Sequence, residues 1–600
     1  MTSRFRMSPL TWTAGLLLAI GFTAQLGLAF VREFDPDELE HLHGAWLISK
    51  GMLPYRDYFE HHTPGLHFLL APLSWALQPE TDPGRAFAMI FLARGLMWLF
   101  TGVILFLTIR LGAALRDYRV GLVAAVLLLY VIMFSEKTLE IRPDLLSVTF
   151  WLASLLSLLP LLREARPTAR TRWAWAGALL GAGVMCTQKL LFVLPGVSAT
   201  LLWYLADPAA RDAVRIRLGN IAAIAAGFSI PILVTMAYFA AHHGLSEFFT
   251  FNVMFNVGFR SGFTPYRGLM SLVEQNPLFV AFAVVGLAHI LLGLRRAESS
   301  ERGDAGLVLN SLGLFAGLWI IPVAYRQYYL MALPLWALLA AVFLVGAIDT
   351  LADRRVWLGS SRRDRMEWSV CGTLLLFALG ATLGESRPRL LGTYSVGPAI
   401  LPVFWGLAVV LMLVSLRRRA GAWALAVLLL ASTVHPLAQL RYEFLWRNTQ
   451  TLADIRYVLE HTSPSDSIMD GFTGLGVFRP HAFFYFPLTG DIMTMLPDVE
   501  KSRMVEDLRT NRVSPALIVR DPTLLRLPRP FASILESRYE PVERELLWRR
   551  KRRYVVPSSG QDDRDVLNRR AATTPPPKGS GEEAGATSEG VNHALQSWGP

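Results

Sequence analysis

Cysteine is almost missing: the 600 residues contain two, Cys186 and Cys371. Both fall in long apolar runs and lie far apart, so neither a disulfide framework nor a cysteine metal centre is available. Charge is also scarce. Asp, Glu, Lys and Arg make up 18% of the chain, against roughly a quarter in soluble proteins. No internal repeat of fixed period is present. What fills the sequence instead is apolar: 53% of residues are hydrophobic and the mean hydropathy is +0.37. Runs of about 20 apolar residues recur, which points to an all-α polytopic membrane protein and excludes a soluble enzyme. The net charge of +11 does not call for nucleic acid. Its basic residues sit in short clusters between the runs, as the positive-inside rule produces.

The apolar runs fall at 9–31, 86–109, 120–135, 144–162, 173–187, 190–206, 216–241, 276–294, 306–323, 328–349, 368–385, 396–415 and 420–438. They predict about thirteen spans. Clusters such as Arg163/Arg166/Arg170/Arg172 and Arg417/Arg418/Arg419 mark cytoplasmic loops, and the longer loops rich in Asp and Glu mark the outer side. The first run is long enough to span and no clear cleavage motif follows it, so a retained first span with a cytoplasmic N-terminus is expected. The run 66–77 is too short to cross and reads as an interfacial or re-entrant helix within a first outer loop of residues 32–85. Residues 1–440 form the membrane part. Residues 441–556, with helix-like stretches at Thr451–His461 and Val499–Asn511 and strand-like ones at Ser467–Met469 and Ala516–Arg520, suggest a small α/β domain outside the membrane. The tail 557–600 has the composition of a disordered segment.

The first outer loop opens with Asp35-Pro36-Asp37-Glu38-Leu39-Glu40-His41. Asp35 as N-cap, Pro36 at the first helical position and Glu38 three residues after the cap form a capping box, which explains Asp35 and Glu38 without any chemistry. It does not explain Asp37, which shares a helix face with Glu40 and His41; a positioned general base does. Asp57, Glu60, His61 and His62 are metal-capable residue types at a spacing that matches no metal motif. No metal ligand is assigned, and a divalent cation stays open as a cofactor. Asp144 stands where a span begins, a depth at which ionisable groups are expensive and usually functional; the bland account pairs it with Arg142. Lys189, Arg260 and Arg326 are cations on the side that the topology rule leaves poor in them. They would suit a phosphate head group if they converge, and plain lipid snorkelling is the alternative. The tyrosines beside Arg326, Tyr329 among them, are equally expected of an interfacial belt. The basic run Arg549–Arg553 reads as a solvated strand end against anionic lipid.

Taken in order, Asp35-Pro36-Asp37-Glu38, Gly51-Met52-Leu53-Pro54-Tyr55, His62-Thr63-Pro64, Glu140-Ile141-Arg142-Pro143-Asp144, and Arg326-Gln327-Tyr328-Tyr329 followed by Pro334 resemble the lipid-dependent glycosyltransferases of the C-type membrane fold. In pattern the chain is similar to the protein O-mannosyltransferases and the aminoarabinose transferase of lipid A. The resemblance implies a sugar carried on a polyprenyl phosphate and moved to a glycan, lipid or protein acceptor on the outer face of a bacterial cytoplasmic membrane. It implies Asp37 as catalytic base with Glu38 in support, Asp144 as a second acidic position, and Lys189, Arg260, Arg326, Tyr329 and His62 around the substrate and lipid phosphate. Which of Asp35, Asp37 and Glu38 is the base stays open. A transporter or flippase for lipid-linked saccharides is the main rival, and a non-catalytic assembly protein a third reading. Transporters usually place their polar groups at the midplane of repeated halves, whereas here the acids stand in loops and no repeat exists.

Overall fold

The computed structural model describes residues 9–163, 169–206, 214–259, 264–294, 301–321, 325–352, 443–542 and 546–551. The expected spans at 368–385, 396–415 and 420–438, the tail and Arg260 lie outside the described residues.

Helix α1 (Pro9–Val31) is apolar all round, and the chain then turns at Asp35 into α2 (Pro36–Ser49). The capping box is complete: the Asp35 side chain accepts from the Asp37 N–H, and the Glu38 side chain accepts from the Asp35 N–H. Helix α2 ends at Lys50, and Gly51 takes the positive φ of 82° that a side chain would resist. Helix α3 (Gly65–Leu77) packs along α2 and buries Leu66, His67 and Leu70, while Trp75 stays exposed. Helix α4 (Pro83–Leu115) has 33 residues, about 50 Å at the α-helical rise.

The expected run 120–135 divides into α5 (Tyr118–Leu129) and α6 (Ile132–Lys137), broken at Tyr130–Val131. Helices α7 (Pro143–Arg163), α8 (Arg170–Cys186), α9 (Leu194–Ala206) and α10 (Val214–Ala241) follow. A Cβ at Gly177 would lie 2.1 Å from the Ile224 carbonyl, and one at Gly227 would lie 1.9 Å from that of Ala174. These two glycines let α8 and α10 cross backbone to backbone, as small residues do between membrane helices. Leu16, Leu99, Leu202 and Val234 point outward and are more than half exposed. One face of each helix meets the core and the other meets lipid, which is why the runs lack an amphipathic stripe.

Five helices (Leu10–Val31, Pro83–Leu115, Gln188–Ala206, Val214–Ala241 and Gly303–Ile320) are long and apolar enough to cross a membrane. A sixth is reached if the bent pair Pro265–Val273 and Leu278–Gly293 forms one span. Tyr118–Leu129, Pro143–Leu159 and Leu333–Ala347 are apolar but shorter. Among the described residues the chain is therefore a multi-pass membrane protein with fewer full-length spans than the run count predicts, partly because breaks such as Tyr130–Val131 shorten them.

Residues 443–551 contain the helices Thr449–His461, Asp498–Arg509 and Pro530–Arg538 and a four-stranded sheet. Its strands are β1 (Ile468–Met469), β2 (Leu517–Val519), β3 (Tyr539–Pro541) and β4 (Leu547–Arg550), in the order β1-β2-β4-β3. Strand β1 runs parallel to β2, with Ile468 opposite Leu517; the other pairs are antiparallel. The segment grips the 32–85 loop directly. Arg479 Nη1 donates to the Glu80 carbonyl at 3.0 Å, and His43 Nδ1 lies 2.9 Å from the Val477 carbonyl oxygen. The Phe59 N–H donates to the Phe484 carbonyl at 2.9 Å, and Gly474 seats against Leu39.

Candidate active site

The first turn of α2 is held from two sides. Beneath it, Glu38 is fully buried: Arg94 donates Nε to Oε2 at 2.8 Å and Nη2 to Oε1 at 2.7 Å, and the Ile141 N–H reaches Oε2 at 3.2 Å. With the capping bond to Asp35 added, both oxygens of Glu38 are occupied by protein donors. Beside the turn, Arg142 spreads over three carboxylates. Its Nη1 lies 2.9 Å from Asp37 Oδ2, its Nη2 lies 3.2 Å from Asp35 Oδ2, and its Nε donates to Glu140. Lys137 adds bonds to Glu140 at 2.8 Å and Asp35 at 3.3 Å.

Within this network the carboxylates separate. The cations around Glu140, Arg142 foremost with Lys137 and Arg32, outweigh its burial and hold it well below the usual carboxylate range. Asp37 goes the other way. Its depth in the protein raises its pKa, Arg142 only partly offsets that, and Asp35 adds to the rise. Titratable groups whose surroundings push their pKa values apart are a feature of acid–base sites, one that structural ion-pair networks share. Asp37 also keeps 28% of its side chain accessible, whereas Glu38 and Glu140 keep 0% and 1%.

Asp144 opens α7 and is buried, with neither carboxylate oxygen hydrogen-bonded. The bland pairing with Arg142 does not form, because that guanidinium is spent on Glu140, Asp37 and Asp35. The cation that Asp144 faces is Lys189, at 3.6 Å. Lys189 also lies 4.6 Å above the ring of Tyr328. Tyr328 belongs to the turn Arg326–Met331, so the ring beneath Lys189 comes from the same turn as Arg326. Arg326 Nη2 donates to Gln275 at 2.9 Å and Glu136 at 3.3 Å, and its buried Nε has no hydrogen-bond partner. Tyr329 is enclosed in the core, its hydroxyl donating to the Pro265 carbonyl at 2.7 Å.

His62 enters a second pocket. Its Nδ1 lies 3.1 Å from Glu60 Oε1 and 4.0 Å from Glu40 Oε1. His67 Nε2 lies between Glu60 Oε2 and His41 Nδ1, 3.3 Å from each. Gly44 leaves the room, since a Cβ there would come 2.9 Å from the His67 ring. Burial pulls His41, His61, His62 and His67 below the ordinary histidine value, so the imidazoles are neutral at neutral pH. Burial, then Glu60 and Asp37, pushes Glu40 well up. Glu40, Glu60, His61 and His62 each bring one donor atom within 4.8 Å of the others, so they could hold a metal ion. Asp57 stays out of the pocket, bonded to its neighbour Arg56 and to the Leu53 N–H. The charge of Lys189 reaches Glu40, His61 and His62, which ties this pocket to the carboxylate network.

Sequence reasoning missed Arg94 and the reach of Arg142. An arginine inside the run 86–109 was the available signal, because a cation at that depth needs a partner.

A family model described as dolichyl-phosphate-mannose-protein mannosyltransferase matches residues 64–259. No curated protein sequence matches the chain. The crystal structure of ArnT from Cupriavidus metallidurans bound to undecaprenyl phosphate superposes with a TM-score of 0.58 at 14% identity, covering 91% of this chain and 99% of that one. The apo form of the same protein gives 0.54 at 16%, covering 89% and 96%. The chain therefore has the C-type membrane glycosyltransferase fold, in agreement with the motifs of its loops.

Proposed function

We propose that this protein is a membrane glycosyltransferase that moves a sugar from a polyprenyl-phosphate carrier to a glycan, lipid or protein acceptor. The reaction takes place on the outer face of a bacterial cytoplasmic membrane. The observation that carries the reading is Asp37: an accessible carboxylate with a raised pKa, 2.9 Å from Arg142, in one network with the Lys189–Asp144 pair. ArnT, whose fold this chain shares over nearly its whole length, was crystallised with undecaprenyl phosphate, and a long-chain lipid phosphate is a donor that a many-spanned protein can receive from the bilayer.

Asp37 takes the proton of the acceptor hydroxyl as its oxygen attacks the anomeric carbon. The bond from that carbon to the phosphate oxygen breaks, and the electron pair leaves with the phosphate. Lys189 and Arg326, which has a free buried Nε, stabilise the charge that develops there. Burial makes Asp37 a stronger base than a free carboxylate, and general base catalysis contributes typically about 10²–10⁴-fold. A single displacement inverts the anomeric centre and needs one essential carboxylate, unlike the paired acids of retaining hydrolysis. Glu38 is a positioning residue, because its oxygens are filled by Arg94, Ile141 and Asp35. Transfer of labelled sugar from a polyprenyl phosphate by purified protein, wild type against Asp37→Asn, is the test. Transfer that survives the substitution unchanged removes Asp37 as base; no transfer from any of several donors by the wild type removes the enzyme reading.

A further inference from the structure

The turn Arg326–Met331 carries Arg326 and the Tyr328 ring that lies beneath Lys189. It is a six-residue 3₁₀ segment, and 3₁₀ hydrogen bonds have poorer geometry than those of an α-helix. Contacts from outside must help to fix it. Two tyrosine hydroxyls supply them: Tyr329 donates to the Pro265 carbonyl at 2.7 Å, and Tyr325, which opens the turn, donates to Asp491 Oδ2 at 2.8 Å. We propose that Asp491 is a positioning residue for the lipid-phosphate site: through Tyr325 it sets the turn that presents Arg326 and supports Lys189. The inference rests on the transfer reaction proposed above, which gives those two cations their ligand.

Asp491 stands in the short helix Gly490–Met495 of the 443–551 segment, 166 positions from Tyr325. Thr489 caps that helix by accepting the Ile492 N–H at 3.2 Å, so the carboxylate is presented from ordered backbone. A phenol donating to a carboxylate makes a charge-assisted bond, roughly twice as strong as one between neutral groups. From Tyr325 the hold passes on in two directions. Arg326 follows directly in the chain, and the Tyr328 N–H donates to the Tyr325 carbonyl at 3.0 Å. The rings of Tyr325 and Tyr328 meet edge to face at 5.8 Å, and Lys189 Nζ lies 4.6 Å from the centre of the Tyr328 ring.

Asp491 is itself an anion, and an anion beside a phosphate site repels the ligand. Its charge and its grip on Tyr325 therefore act in opposite senses. If charge were its whole effect, removing it would tighten phosphate binding. If position is its effect, removing the hydrogen bond loosens the turn and weakens binding, while a neutral side chain that still accepts from the phenol leaves binding nearly intact. An asparagine does that, because its amide oxygen stands where a carboxylate oxygen stood.

The test is the binding of undecaprenyl phosphate to full-length protein in detergent, read by thermophoresis, with unfolding temperatures measured alongside. Asp491→Ala and Tyr325→Phe should each weaken binding about three- to tenfold, and the double variant should be no weaker than either single one, as expected of two partners in one contact. Asp491→Asn should bind within about twofold of wild type. Tyr325→Phe removes only a hydroxyl and keeps the test decisive if Asp491→Ala does not fold. Single variants that bind like wild type, losses that add in the double variant, or tighter binding by Asp491→Ala overturn the role of Asp491 and leave the transfer reaction standing. A wild type that does not bind the lipid removes the proposed donor, and this inference falls with it.

Discussion

Glu38 on α2 and Arg94 on α4 form a two-pronged ion pair in which both side chains are 0% exposed. The pair fixes the loop helix carrying Asp37 to a spanning helix. Removing one partner leaves a buried charge without its counter-ion, which costs about 3–5 kcal/mol. Arg94→Met should lower the unfolding temperature in detergent sharply. The double variant Glu38→Gln/Arg94→Met, which leaves no orphaned charge, should recover about half of the loss. A double variant as unstable as the single one would mean that the capping role of Glu38 dominates.

The base role proposed for Asp37 requires it to be ionised, and its pKa is raised by burial and held down by Arg142. The acid limb of kcat/KM should therefore lie above that of an ordinary carboxylate, with activity falling as the pH drops through it. Arg142→Gln removes the opposing cation, so the limb should move to higher pH. A limb that stays put or moves down in this variant assigns it to another group.

Lys189 should act on donor binding. Its charge-assisted contact with phosphate is worth about 1.5–3 kcal/mol, so Lys189→Gln should raise KM for the lipid donor by about 10- to 100-fold. Lys189→Arg should retain most of the affinity. Steady-state kinetics with the acceptor held saturating checks this; a variant with unchanged KM and reduced kcat would place Lys189 in the transition state alone.

Asp470 in the 443–551 segment gives a stability signature. Burial, then the Asp521 carboxylate, pushes its pKa up to about 7, while in the unfolded chain it titrates near 4. Between those values the folded state holds a proton that the unfolded state lacks. This contribution to stability is full below about pH 4 and is lost as pH rises through about 7, at no more than about 1.4 kcal/mol per pH unit. The buried histidines of the site work in the opposite direction, so the readout is a difference. Asp470→Asn should gain stability relative to wild type as pH rises from about 5 to about 7.5, measured as the gap between their unfolding temperatures. A gap independent of pH would show that Asp470 is ionised throughout.

Much of the helical frame was legible because a membrane imposes its period on the chain. The run 9–31 became Pro9–Val31, and the short run 66–77 became a helix of 13 residues. The capping box was legible because Asp35-Pro36-Asp37-Glu38 is local chemistry. What could not be read were pairings made across the fold. Asp144 meets Lys189 from 45 positions away, and no pattern announces that it passes over Arg142, two residues off. Sequence proximity also grouped Asp57 with Glu60, His61 and His62, whereas packing replaces it with Glu40. The break at Tyr130–Val131 left no trace in hydropathy, because both halves of the run are equally apolar.

The grip of residues 443–551 on the first loop bears on how the protein is made. Arg479, in the 443–551 segment, ties Glu80 to the carbonyls of Phe478, Leu459 and Thr462, and Gly474 backs the helix that carries Asp37. The ribosome delivers these clamps hundreds of residues after it has released α2. A nascent chain with its early helices already made thus lacks the contacts that back its first outer loop until Gly474 and Arg479 have followed.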